Sequence, residues 1–187
     1  VNNFFHYYTK HIVIGIIALI IVAISVRSCV TAVKPDINIA FVGEFYIEDT
    51  TALAEKIKSS VPEIKEPAIH VMTLTQDLDN INPEMDYTMR MKFMAMIGTQ
   101  ELDVLIFDRA QFELYGKQGA MEVLDAYAEE KDIAEELTKD CWLEDEETGE
   151  KHLYGMDISD SEFFEDIFIV GKEKIVAIAV NTKNYEK

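Results

Sequence analysis

A chain of 187 residues has room for one domain of ordinary size, and its 49% hydrophobic and 28% charged residues are typical of a folded protein. Seventeen Lys and Arg against 35 Asp and Glu give a formal net charge of -18, which would repel a nucleic-acid backbone and an anionic bilayer surface. With two cysteines and four scattered histidines, the sequence offers no disulfide framework or zinc site. We therefore expect no nucleic-acid partner, no metal and no cofactor.

The first element is an apolar segment without a charge, which runs from Ile12 to Val26. As a helix it would cover about 22 Å, less than the roughly 30 Å of a bilayer core. Aromatic residues at positions 4 to 8 and apolar residues up to Val33 extend the path through the interface. This pattern predicts a single-pass anchor over 12–33, with a flank at 1–11, a linker at 34–36 and an extracellular domain at 37–187.

Two other kinds of export signal use the same residues. The apolar run also fits a signal-peptide core with a small-residue cleavage site at Val30 to Ala32. The residues from Val26 to Cys29 faintly resemble a lipoprotein box in which Cys29 would be lipidated, although Arg27 is atypical there. Basic residues nearly balance on the two sides of the segment, so charge alone does not fix its orientation.

Beyond the linker, apolar runs rich in β-branched residues alternate with segments of helical period, which predicts an α/β domain with a mostly parallel sheet in three layers. The predicted strands are 37–42, 68–75, 103–108, 154–158 and 175–181. Four helices are predicted. The first begins at Asp49 and ends before Pro62, and the second begins at Asn82-Pro83 and ends at Gly98. The third passes through Phe112 and Tyr115 to Gly119, and the fourth covers 126–137. Residues 142–151 are expected to form a loop or a hairpin tip around Thr148-Gly149.

The second predicted helix is unusually rich in methionine, at positions 85, 89, 91, 94 and 96. Helical spacing places Met85, Met89, Phe93 and Ile97 on the face toward the sheet. Methionine adapts to varied partners, but most of these side chains are expected to pack in the core. Met91 and Met94 are the two expected to face elsewhere.

Several segments together resemble the first lobe of the extracellular solute-binding proteins that serve ABC transporters. The similar features are Gly98 before the Asp-led strand 103–108, the pair Phe112 and Tyr115, Gln118-Gly119 before Leu124-Asp125, Tyr154-Gly155-Met156, and Ala179-Val180-Asn181. Leu102-Asp103 stands where the family often has Pro-Asp. The resemblance implies one lobe of a type 2 periplasmic binding protein, as in membrane-anchored proteins of Gram-positive bacteria, and the chain has no room for a second lobe.

Ligands of parallel α/β sheets gather at the carboxyl ends of the strands. Here those ends are Gly43, Glu44 and Phe45 after the first strand and Asp108 and Arg109 after the third. These five residues are the candidate ligand-binding site. The alternative is that Asp108 only caps the following helix while Arg109 pairs on its surface.

Catalytic patterns are weak throughout the chain. Glu44, Asp108 and Lys183 follow strands loosely as in a receiver domain, and Asp77-Leu78-Asp79 is loosely similar to a haloacid-dehalogenase nucleophile pair, but the surrounding residues fit neither. The same acids fail as an EF-hand, and no nucleophile elbow, Walker loop or Rossmann fingerprint occurs. A cell-surface hydrolase or phosphatase using Asp108 or Asp77 remains the alternative function.

The sequence thus predicts a single-pass membrane protein whose extracellular domain is a solute-binding-like module. It would sense a small-molecule ligand or dock a protein partner without catalysis.

Overall fold

The computed structural model describes residue 20 and residues 34–75, 83–145, 148–171 and 173–184. The chain divides into two units, Val1–Lys34 and Pro35–Lys187. Apart from Ile20, the predicted anchor lies outside the described residues, as do Asp77 to Asp79. Within the part that is described, no helix is both long enough and apolar enough to cross a membrane.

The second unit is built on a five-stranded sheet. In chain order its strands are β1 (Ile37–Gly43), β3 (Pro67–Thr73), β4 (Val104–Phe107), β7 (Met156–Asp157) and β9 (Ile175–Ile178), and their spatial order is β3-β1-β4-β9-β7. β1 pairs in parallel with β3 and β4, whereas β9 is antiparallel to both β4 and β7. Four of the five strands therefore run in one direction, as a mostly parallel sheet requires, and β9 alone runs against them.

Alternating side chains of β1 supply both faces of the sheet, because successive residues of a strand point to opposite sides. Ala40 and Val42 belong to a core with α2 (Pro83–Gly98) and α3 (Arg109–Lys117). Ile39 and Phe41 belong to a second core with α1 (Thr50–Ser60). The three predicted layers, helices on both faces of one sheet, are present.

The sequence correctly predicted the N-cap residues of α1 and α3. The carboxylate of Asp49 accepts hydrogen bonds from the backbone N–H groups of Thr51 and Ala52 at 2.8 and 3.0 Å, which fixes the start of α1. The carboxylate of Asp108 does the same for α3 by accepting from the N–H of Gln111 at 2.8 Å. Both helices therefore begin where the predicted capping residues stand.

The C-terminal half departs from the predictions in detail. The helix expected over 126–137 is two short helices, α4 (Asp125–Lys131) and α5 (Glu135–Thr138), because Asp132 adopts a left-handed conformation with φ of 49° that ends α4. β5 (Trp142–Glu144) and β6 (Lys151–Leu153) pair antiparallel as a hairpin, which agrees with the hairpin tip predicted around Thr148-Gly149. The strand expected over 154–158 shortens to β7.

A segment that the sequence left unassigned covers part of the second core. It contains a 3-10 turn (Glu162–Phe164) and β8 (Ile169–Val170), which pairs antiparallel with β2 (Tyr46–Ile47). Phe163, Phe164 and Ile167 pack from this segment against the sheet face that holds Ile39 and Phe41. One face of the sheet is thus covered by α2 and α3, and the other by α1 and this segment.

The methionine-rich helix α2 confirms one prediction and corrects another. Met96 is buried and Met89 packs against the core, whereas Met91 and Met94 are 53% and 44% exposed, as expected. Met85, which helical spacing placed on the inner face, is 58% exposed. It stands in the first turn of the helix, before the part that packs against the sheet.

Candidate functional site

The predicted site lies where β1 and β4 end. The two strands are parallel neighbours with Val42 opposite Phe107, so the residues that follow them emerge at the same edge of the sheet. A cleft of about 680 Å³ opens there. Three of the five predicted residues, Glu44, Asp108 and Arg109, are among the residues that line it.

Asp108 joins the end of β1 to the start of α3. One carboxylate oxygen accepts a hydrogen bond from the backbone N–H of Glu44 and the other accepts from that of Gln111, both at 2.8 Å. Gly43 makes this approach possible, because its φ of 139° suits glycine and a Cβ there would overlap the Asp108 carboxylate. The helix-cap interpretation of Asp108 is therefore correct, and the same side chain also forms one wall of the cleft.

The surroundings of Asp108 alter its acidity. Burial raises the pKa of this carboxyl group, since removal from water disfavours the charged form, and the two backbone N–H groups only partly oppose the shift. The negative charges of Glu44 and Glu173 raise the pKa further. A carboxylate in this position is a weaker acid than an exposed aspartate.

Arg109 is held by acidic groups across the cleft. Its Nε lies 3.3 Å from a carboxylate oxygen of Glu173 and its Nη2 lies 3.8 Å from one of Asp157. Its Nη1 donates to the backbone carbonyl of Asp140. The guanidinium is thus already neutralised and oriented by this chain, which agrees with the expected surface pairing of Arg109.

The other predicted residues occupy different positions. Glu44 is exposed at the rim of the cleft, and its carboxylate accepts a hydrogen bond from the hydroxyl of Thr75. Phe45 is only 2% exposed and its ring packs edge-on against Phe41 at 5.6 Å, so it belongs to the second core and not to the cleft lining. Gly43 acts through its backbone.

The opposite wall of the cleft comes from residues that the sequence did not single out. They are Val170, Gly171 and Glu173, between β8 and β9. β9 runs antiparallel to β4, so its beginning lies beside the end of β4, with Ile175 opposite Phe107. Buried apolar strands look alike in either direction, so the sequence held no signal for this proximity.

The receiver-like set is corrected by the same antiparallel strand. The end of β9 lies beside the start of β4, with Ile178 opposite Val104, and the hydroxyl of Thr182 donates to Asp103. Lys183 is therefore at the edge of the sheet opposite to Asp108, and the two cannot share a phosphoryl-transfer site. Among the residues described, no group of three or more His, Cys, Asp or Glu is placed to hold a metal ion.

Comparison with known proteins gives weak structural similarity only. No protein-family model matches the chain, and no curated protein matches it. Among solved structures, an extracellular solute-binding protein of family 1 from Alicyclobacillus acidocaldarius subsp. acidocaldarius DSM 446 is similar, with a TM-score of 0.36 and 15% sequence identity. The similarity covers 67% of this chain and 29% of that one.

Proposed function

We propose that residues 37–187 act as a non-catalytic binding module that segment 12–33 holds at the outer face of a cell membrane. The module takes a small-molecule or protein ligand at the cleft where β1 and β4 end. The observation that carries this proposal is the convergence of Glu44, Asp108 and Arg109 on one cleft at the carboxyl edge of the sheet. That edge is where open α/β sheets bind their ligands.

The size of the cleft suits a ligand. Its volume of about 680 Å³ lies within the roughly 300 to 1,000 Å³ of ordinary small-molecule sites. One wall comes from the ends of β1 and β4 and from the first turn of α3, so that wall is fixed by the sheet and needs little ordering when a ligand enters. A preformed site of this kind loses less conformational entropy on binding.

The charges of the lining favour an organic cation. Arg109 is already paired with Glu173 and Asp157, and among the described residues no basic side chain forms an ion pair with Glu44 or with the half-buried Asp108. The net charge of -18 adds a field that attracts cations and repels anions. A small amine is therefore the ligand class to test first.

The geometry of Asp108 favours a binding module over the hydrolase or phosphatase alternative. Both oxygens of its carboxylate accept backbone hydrogen bonds, which is the arrangement of a helix cap and strand-end tie. A nucleophilic or general-base carboxylate needs an oxygen directed at a substrate. Asp77, the other residue of that alternative, lies outside the described part of the chain.

Binding at the cleft is tested by calorimetric titration of the full chain in detergent with putrescine, and with glutarate as the anion of similar length. We expect putrescine to bind and glutarate not to bind at physiological ionic strength. The double variant Glu44→Gln, Asp108→Asn removes the two lining carboxylates that no described basic side chain neutralises, so it should weaken putrescine binding roughly tenfold or more, because charged hydrogen bonds contribute about 1.5 to 3 kcal/mol each.

The matched control is Glu55→Gln, Glu66→Gln, which removes the same charge from two exposed residues beside Lys58. If both double variants lose the same affinity, putrescine is following the net charge of the protein and the cleft is not its site. Absence of putrescine binding to the original protein would reject the cation preference.

The anchor is tested separately, in cells. We expect the full chain to stay in the membrane fraction after alkaline extraction, and protease added to intact cells to remove the domain. Release of a shortened, soluble chain would favour the signal-peptide alternative, and loss of membrane attachment in Cys29→Ser would favour lipidation. Protection of the domain from protease would reject the extracellular location.

A further inference from the structure

A second pocket lies beside the cleft, on the face of the sheet that α1 and the segment before β9 cover. Its volume is about 350 Å³. Lys174 contributes to its lining together with Ser159 and Ser161, and the pocket is distinct from the cleft, which Glu173 lines. Neighbouring residues at the start of β9 therefore serve two different cavities.

Lys174 is the unusual member of this pocket. Only 8% of its surface is exposed, which makes it one of the few charged residues buried in the described part of the protein. Over that same part, its ammonium makes no ion pair or hydrogen bond, and it lies 5.9 Å from the centre of the Phe164 ring. The Nζ is not among the buried polar atoms that lack a partner, so the buried stem presents an unpaired ammonium to the pocket, where an anionic oxygen could pair with it.

The two serines define which donors a ligand would meet. The hydroxyl of Ser159 donates to Asp157 and accepts from the backbone N–H of Lys174 at 2.8 Å, so its hydrogen is already used. The hydroxyl oxygen of Ser161 accepts from the N–H of Phe163 at 3.3 Å, which leaves its hydrogen available. Lys174 and Ser161 thus offer two donors, the number that the oxygens of a carboxylate can accept.

The rest of the pocket lining is unfavourable for a ligand that carries only negative charge. Asp160 and Glu165 also line the pocket and are exposed at its rim, where they would repel a phosphate. The net charge of -18 acts in the same direction at long range. A ligand that carries one carboxylate and one ammonium group has no net charge to be repelled, and its ammonium can pair with the acidic rim.

The apolar side of the pocket completes the ligand class. Phe164, Ile167 and Ile169 line it, which suits an aliphatic side chain. We infer that this pocket binds a small zwitterion of the α-amino acid type, with its carboxylate on Lys174 and Ser161, its ammonium at Asp160 and Glu165, and an apolar side chain against Phe164. The inference rests on this pocket alone and does not depend on the function proposed for the cleft.

The test is a calorimetric titration of the full chain in detergent, in a buffer without amines or carboxylates. Four probes separate the charges: leucine, leucinamide without the carboxylate, 4-methylpentanoate without the ammonium, and inorganic phosphate. We expect leucine to bind roughly tenfold or more tightly than leucinamide and 4-methylpentanoate, and phosphate not to bind. No leucine binding up to about 10 mM, or equal binding of either analogue, would overturn the assignment.

Lys174→Met keeps the length of the side chain and removes its charge, so leucine binding should fall roughly tenfold or more. Lys56→Met is the matched control, because Lys56 also lies over a phenylalanine ring, that of Phe163 at 5.3 Å, but does not line the pocket. Unchanged leucine affinity in Lys174→Met, or an equal loss in both variants, would refute the site.

Because a buried substitution can disturb folding, an exposed pair gives a second measurement. Asp160→Asn, Glu165→Gln should weaken leucine and leave 4-methylpentanoate unchanged or bound more tightly, since only the partners of the ammonium are removed. Equal weakening of both ligands would overturn the orientation. Putrescine binding at the cleft, measured in the same variants, shows separately whether the proposed function of the domain holds.

Discussion

The two ends of β4 carry the same residue type in two different surroundings. At the amino end, Asp103 is 5% exposed, and its carboxylate accepts hydrogen bonds from the backbone N–H of Asn38 at 2.8 Å, the amide of Asn184 at 3.0 Å and the hydroxyl of Thr182. At the carboxyl end, Asp108 accepts two backbone N–H groups and faces a cleft.

Each acid ties β4 to β1, Asp103 through the N–H of Asn38 near the start of β1 and Asp108 through that of Glu44 just after its end. The amino end is closed by the residues after β9, whereas the carboxyl end stays open. A donor that loses its acceptor at the closed end has no easy route to water, while one at the open end does. The same chemistry is therefore structural at one edge and leaves room for a ligand at the other.

The largest expected effect is the loss of Asp103. Asp103→Ala should lower the free energy of unfolding by about 3 kcal/mol or more, because three donors lose a charged acceptor and the backbone N–H of Asn38 is left half-buried. Asp108→Ala should cost about 1 kcal/mol, the usual value of a helix cap. Urea unfolding of the full chain in detergent measures both, and equal losses would contradict the difference between the two ends.

The acids that bracket β4 also show how much of the fold the sequence contained. An apolar run between Asp103 and Asp108 predicted the strand, and a capping residue predicted the start of α1 and of α3. Local chemistry sets these features, so they could be read without the structure. The antiparallel direction of β9 is set by contacts with distant strands, and its pattern of buried residues is the same in either direction.

The second prediction concerns the residue that lets Asp108 approach β1. Gly43→Ala should lower the free energy of unfolding by about 2 kcal/mol, because its φ of 139° is unfavourable for alanine and the new Cβ would overlap the Asp108 carboxylate. Gly98→Ala is the control, since nothing lies within 4 Å of a Cβ at the end of α2. It should be neutral or stabilising by up to about 1 kcal/mol.

Loss of putrescine binding in Gly43→Ala, at a temperature where the variant is still folded, would connect this tie to the cleft. A Gly43→Ala protein as stable as the Gly98→Ala protein would show that the Asp108 carboxylate can move away at no cost. The hydrogen bond from Glu44 to Asp108 would then not hold the carboxyl end of β4 to β1 as Asp103 holds the amino end.

The candidate site was predictable only in part, because one wall follows from strand ends and the other from the unforeseen direction of β9. Glu44, Asp108 and Arg109 were found because they follow predicted parallel strands, so a general rule about strand ends located them. Glu173 and Lys174 stand before an apolar strand in a charged stretch, where a solvated loop is the ordinary interpretation. Only the fold shows that Glu173 reaches Arg109 and that Lys174 is buried.

The smallest expected effect is a pH dependence that belongs to the open end of β4. Burial raises the pKa of Asp108 above its ordinary value of 3.8, so the folded protein holds this proton at a pH where the unfolded chain has released it. The stabilisation from this group is therefore complete below 3.8 and is lost as the pH rises through the raised pKa. Relative to Asp108→Asn, the original protein should lose stability across that interval.

A second variant separates the pH dependence of stability from the loss of hydrogen bonds. Asp108→Ala removes the same titrating group as Asp108→Asn, but it also removes both hydrogen-bond acceptors. The difference in unfolding free energy between the original protein and each variant should change with pH by the same slope, while the alanine variant is offset by the greater loss of hydrogen bonds, about 1 kcal/mol. Unfolding in urea at a series of pH values measures slope and offset together. A difference that stays flat with pH would mean that Asp108 is solvated at the mouth of the cleft. A difference that rises with pH would mean that the hydrogen bonds from the two backbone N–H groups outweigh its burial.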